Sequence, residues 1–210
     1  MKLLSILVTA LAISAIAEAH ILVEPDWAHQ TGTTLQEWGF GNDINPSIPE
    51  LINNSFGSSL AVVTVGTMGA GWLDSLAGFG TQTGMWDLGA EGTIVIDIDN
   101  SSEPLPYKEI WVQITYFLDI SAAPTVDVPG AEFLGSETYL VEDTGMGGWY
   151  LDLTKWRIVP NPSHEQIVLT SDAMWGSVID QVAVHTICTP EPLSLCLLAL
   201  GGMVIRRCRS

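Results

Sequence analysis

The sequence predicts an all-β protein: a jelly-roll-like β-sandwich, flanked by an N-terminal signal peptide and a short C-terminal apolar helix. Three observations carry this. Between residues 20 and 188 no window of twelve or more residues repeats its apolar positions at the helical period. The same stretch holds eight or so short β-like runs at turn-punctuated spacing, the mark of a sandwich or barrel. The glycine count, 20 in 210 residues, and the long-range strand pairing favour the jelly-roll-like sandwich.

The first element is the signal peptide, residues 1–19. Lys2 precedes an apolar run from Leu3 to Ala17. Ala17-Glu18-Ala19 then puts small residues at the minus-three and minus-one positions of a cut before His20. A buried N-terminal element would not need that layout. The exported domain, residues 20–188, starts there.

His20 to Gln30 reads as a lead-in, and Thr31 to Glu50 as loop or edge structure anchored by Trp38 and Phe40. Leu60 to Val65 is β-branched and ends at a turn cluster, Thr67 to Gly71. Trp72 to Phe79 and Gly84 to Leu88 are short runs broken by glycine. In Gly92 to Asp99, Ile94, Ile96 and Ile98 share one face and Val95, Asp97 and Asp99 the other. Lys108 to Leu118 alternates with apolar residues on both faces, which predicts a central strand covered on each side. Thr125 to Leu134 is interrupted by Pro129-Gly130. Glu137–Glu142, Gly148–Ile158, Glu165–Thr170 and Ser177–Ile187 complete the set.

Charge bounds the partners. Residues 20 to 189 hold only Lys108, Lys155 and Arg157 against 22 acidic residues, so the exported part carries 3 − 22 = −19. Such a body repels phosphate backbones, which excludes nucleic acid as a partner. Cys188 is the single cysteine of the body and cannot form an internal disulfide, so the domain stands on its core. A secretory signal without a disulfide pair suits a bacterial exported protein.

The tail, residues 189–210, opens on Pro190-Glu191-Pro192. Leu193 to Ile205 is apolar and ends at Arg206, Arg207 and Arg209. Thirteen helical residues span roughly 20 Å, short of the ~30 Å hydrocarbon core. The arginines stop transfer and stay cytoplasmic. The prolines hold Glu191 in an extended, accessible segment. A short C-terminal transmembrane sorting helix that is later processed fits these features better than a permanent anchor.

This tail resembles a PEP-CTERM sorting signal: the Pro190-Glu191-Pro192 motif, the apolar run with Gly201-Gly202, and the basic end Arg206-Arg207-Cys208-Arg209, about a tenth of the chain. Cys196 and Cys208 depart slightly from the pattern. The resemblance implies an exosortase-type processing enzyme as partner and transient inner-membrane insertion through the tail. It also implies a final place at the cell surface or in the extracellular matrix of a Gram-negative-type bacterium, often one that makes exopolysaccharide. The closing run Val178 to Val184 is similar to the last strand of galactose-binding-like and carbohydrate-binding-module jelly rolls.

Chemistry in the body is sparse. Trp72, Trp86 and Trp149 sit beside glycines in turn-rich stretches and are the candidate platforms for stacking on sugar rings; inter-strand packing is the competing reading. Asp97, Asp99 and Asn100 gather oxygens at one strand end, where Ca²⁺ is the conceivable cofactor and solvated surface acids the plainer reading. No GxSxG, HExxH, P-loop or GxGxxG motif occurs, and His20, His29, His164 and His185 are dispersed. The expectation is therefore a non-enzymatic, structural or adhesive surface protein without a cofactor. A lectin-like module contacting extracellular polysaccharide is the alternative, and a secreted glycan-active hydrolase stands behind it.

Overall fold

The computed structural model describes residues 22–57, 59–101, 103 and 105–189. The expected signal peptide with its cut at Ala17, Ala19 and His20 lies outside the described residues. So do Pro190, Glu191 and Pro192 and the basic end at Arg206, Arg207 and Arg209. In chain order the strands are β1 (Thr33–Trp38), β2 (Leu51–Asn53), β3 (Leu60–Thr64), β4 (Gly71–Ser75), β5 (Thr83–Asp87), β6 (Thr93–Asp99), β7 (Tyr107–Leu118), β8 (Thr125–Asp127), β9 (Ala131–Asp143), β10 (Gly148–Ile158), β11 (His164–Thr170) and β12 (Val178–Thr189). No helix occurs among the described residues.

Two antiparallel sheets form a β-sandwich. The larger runs β2-β1-β12-β7-β10-β9, with the β4–β5 hairpin attached through β5 to the start of β12. The smaller runs β3-β6-β11-β8. Alternation places the core as the sequence leads one to expect. Ile94, Ile96 and Ile98 point inward from β6 and meet Ile110, Val112 and Ile114 of β7, with Val182 and Val184 of β12 beside them.

β7 is central and covered on both faces, as its two-sided apolar pattern predicts. Its outer face carries a second, smaller core of Met85, Phe117, Trp149 and Val178 beneath the β4–β5 hairpin. Phe117 makes edge contacts with Phe79 and Trp149, each at 5.2 Å between ring centroids. Farther along the same face the N-terminal segment lies down. The Gln113 side-chain amide mimics a neighbouring strand: Oε1 accepts from the Val23 N–H at 2.8 Å and Nε2 donates to the Val23 carbonyl at 2.9 Å. Trp27 stands edge-on to Trp111.

Three readings of the chain are corrected. Residues 31–50 contain a true interior strand: β1 pairs with β12 on one side and β2 on the other. Its inward positions include the polar Thr34 and Gln36, which hides the alternation, and Thr34 meets Thr186 hydroxyl to hydroxyl at 2.7 Å. The run around Pro129-Gly130 is two strands, because the chain crosses there from β8 in the small sheet to β9 in the large one. Twelve strands stand among the described residues where eight or so were expected; β2 and β8, three residues each, are too short to show a period.

His185, on β12 opposite Trp111, is buried, and burial holds its pKa below the ordinary histidine range against the weaker pull of Glu24. The folded state therefore resists protonation more than the unfolded chain does. Its contribution is intact above the ordinary value of 6.5 and is lost progressively as pH falls below it toward the lowered folded value. Urea midpoints of wild type are expected to fall between pH 7 and pH 5.5. His185→Gln should flatten that slope; an equal slope in the variant would contradict the assignment.

Candidate functional site

The sandwich has two dissimilar poles, and β12 runs between them. At one pole β12 ends at Thr189, paired with Tyr107. Lys108 and Glu165 form a fully buried ion pair there, and Asn100 donates to Asn161 at 2.6 Å and to the Pro162 carbonyl at 2.7 Å. The Cys188 thiol closes this group, 3.1 Å from Asn100 Oδ1.

At the opposite pole four loops converge: the segments around Met68, Gly89, Ile120 and Trp175. They enclose a cleft of about 360 Å³, within the range of small-molecule sites. Met68, Asp87, Gly89, Ile120 and Trp175 are among its lining residues. The loops are locked to one another. Gly176 has φ +68° and lies so close to Gly89 that a Cβ would come within 2.8 Å of the Gly89 carbonyl carbon. Ser171 donates its hydroxyl to the Gly89 carbonyl. The Ala122 N–H donates to Gly176 O and the Leu88 N–H to Ser177 O, each at 3.0 Å.

Trp175 is 67% exposed, and its backbone is held in place. Asp172 Oδ1 accepts the N–H groups of Met174 at 2.8 Å and of Trp175 at 2.7 Å. Those bonds also hold the Asp172 carboxyl below its ordinary pKa. Met68, Ile120 and Met174 are exposed around the indole. Three of the four described non-glycine residues with positive φ, Met68, Glu91 and Asp119, lie in these loops. Backbone strain gathers where loops are held for a purpose. A flat indole with an apolar rim can stack on the apolar face of a sugar ring.

The three tryptophans singled out from the sequence do not form a platform. Trp149 is fully buried and Trp86 is 6% exposed. Trp72 is half-buried and donates its indole N–H to the Phe40 carbonyl at 2.7 Å. The reason is layering. Trp149 faces outward from β10, but the β4–β5 hairpin covers it and Phe79 O accepts its N–H. Trp86 and Trp72 belong to the inter-sheet core. Neighbouring glycines mark tight turns here, not exposure.

Trp175 was missed although it too stands beside a glycine. Two signals set it apart. It lies outside any alternating run, and Asp172 stands three residues before it, a spacing that lets a carboxylate cap the turn.

The oxygen set at the end of β6 does not converge. Asp97 and Asp99 project outward from the small sheet, and Asp97 accepts from Gln166 at 3.0 Å. Asn100 turns inward to Asn161 and Pro162. Strand alternation separates them, so this trio makes no Ca²⁺ site. Among the described residues no group of three or more His, Cys, Asp or Glu is arranged to hold a metal. No protein-family model matches the chain, and no curated protein matches it.

Proposed function

We propose that this is an exported protein sorted to the cell surface or extracellular matrix through its PEP-CTERM-like tail. There a jelly-roll-like sandwich serves a non-enzymatic, adhesive role. The observation that carries the reading is the course of β12. It starts at Val178, three residues after Trp175, and ends at Thr189, one residue before Pro190. Eleven residue steps at about 3.3 Å put the two ends roughly 36 Å apart. A tail inserted in a membrane would hold one pole at the bilayer and present the Trp175 cleft outward. The chain's repeated crossing between sheets, with β12 seated between β1 and β7, supports the jelly-roll connectivity.

Mass spectrometry of the surface-exposed form tests the sorting. The expected product lacks residues 1–19 and ends near Pro190 to Pro192. A surface form that retains Arg209-Ser210 would overturn it.

Trp175 favours the lectin-like alternative over a purely structural one, because an exposed indole on a hydrogen-bonded loop suits saccharide contact. A glycan-active hydrolase would need a free carboxylate pair at the cleft. Asp87, the lining carboxylate, accepts from the Ala70 N–H through one oxygen and the Gly89 N–H through the other, each at 3.0 Å.

A further inference from the structure

We infer that the ligand of the Trp175 cleft is an uncharged saccharide, not a uronate, sulfated or phosphorylated one. The inference rests on the lectin-like reading of the cleft and goes on to name the ligand's charge. Its basis is where the body's three basic side chains are spent. Lys108 is fully buried against Glu165. Lys155 pairs with Glu137 and lies over the Trp111 ring, 4.5 Å from its centroid. Arg157 bonds Glu109 at 2.7 Å and covers the Tyr107 ring at 4.9 Å. Each cation is thus engaged by a carboxylate, and two also by an aromatic face.

Their position matters as much as their partners. Lys108 and Arg157 sit at the end of β7 and β10 that adjoins Thr189, and Lys155 follows within one turn of the pleat. Screening at physiological salt acts over about 8 Å, so these charges do not reach a ligand at the far pole. The loops of that pole instead carry Asp87, Glu91, Asp119 and Asp172. An anionic sugar there would meet like charge and no cation, whereas a neutral pyranose needs only the indole, the apolar rim and hydrogen-bonding groups.

The test uses full chain and Trp175→Ala in affinity electrophoresis. One gel series contains neutral β-glucan, galactan and mannan; the other contains polygalacturonate and alginate. Both are run at low and high salt, with and without EDTA, and near-ultraviolet circular dichroism checks the variant's fold. The expected result is retardation by at least one neutral polymer, indifferent to salt and EDTA and at least about tenfold weaker in the variant, with none by the acidic polymers. Retardation by an acidic polymer, whether salt-sensitive or EDTA-sensitive, would overturn the inference and leave saccharide binding standing. A flat result across both series would overturn saccharide binding itself. Equal retardation of a correctly folded variant would remove the cleft from the argument.

Discussion

Lys108→Ala is expected to destabilise the sandwich by about 3–5 kcal/mol in urea denaturation, the cost of stranding a buried charge. Both side chains of the Lys108–Glu165 pair are fully buried. Lys108 belongs to β7 and Glu165 to β11, so the pair joins the two sheets at the Thr189 pole. Burial raises the Glu165 pKa even though Lys108 opposes the shift. The carboxylate is therefore expensive to keep charged, and without the ammonium only the smaller pull of His164 offsets it. Replacing both partners, Lys108→Met with Glu165→Leu, should recover most of the loss, because a well-packed apolar pair avoids the desolvation cost of two charges. A double variant as unstable as Lys108→Ala alone would mean that the pair acts through packing and not through charge.

Trp149→Ala is expected to cost about 3–5 kcal/mol, as large-to-small core substitutions of tryptophan do. The indole anchors the outer core of the large sheet. It touches Phe117 and bonds the Phe79 carbonyl, so its loss frees the hairpin arm as well as leaving a void. Trp175→Ala should shift stability by less than about 0.5 kcal/mol, since it removes an exposed side chain whose loop is shaped by backbone bonds to Asp172. Thermal unfolding of the two variants side by side checks the contrast. Equal losses would contradict the assignment of one tryptophan to the core and the other to the surface.

What could be read from the sequence followed from periodicity. Ile94, Ile96 and Ile98 declare an inner face because each second residue is apolar, and the doubly apolar β7 declares its cover. β1 stayed hidden because Thr34 and Gln36 are inward and polar. The exposure of each tryptophan was not legible for a different reason. Alternation says which face of a strand a residue occupies, not whether another layer lies over that face. The β4–β5 hairpin buries Trp149 from more than sixty residues away in the chain, a contact no local pattern encodes. The cleft is equally non-local, since it joins segments near residues 68, 89, 120 and 175. The expected signal peptide and sorting tail, by contrast, are linear patterns, and they lie outside the described residues.

The central proposal is that the pole opposite Thr189 binds saccharide through Trp175. Its most direct measurement is the affinity of the chain, captured on a sensor surface through its C-terminal end, for the neutral polymer it retains best. Wild type should bind in that orientation, and Trp175→Ala should bind at least about tenfold more weakly, a loss of about 1.4 kcal/mol. Unchanged affinity in a folded Trp175→Ala chain would contradict the account.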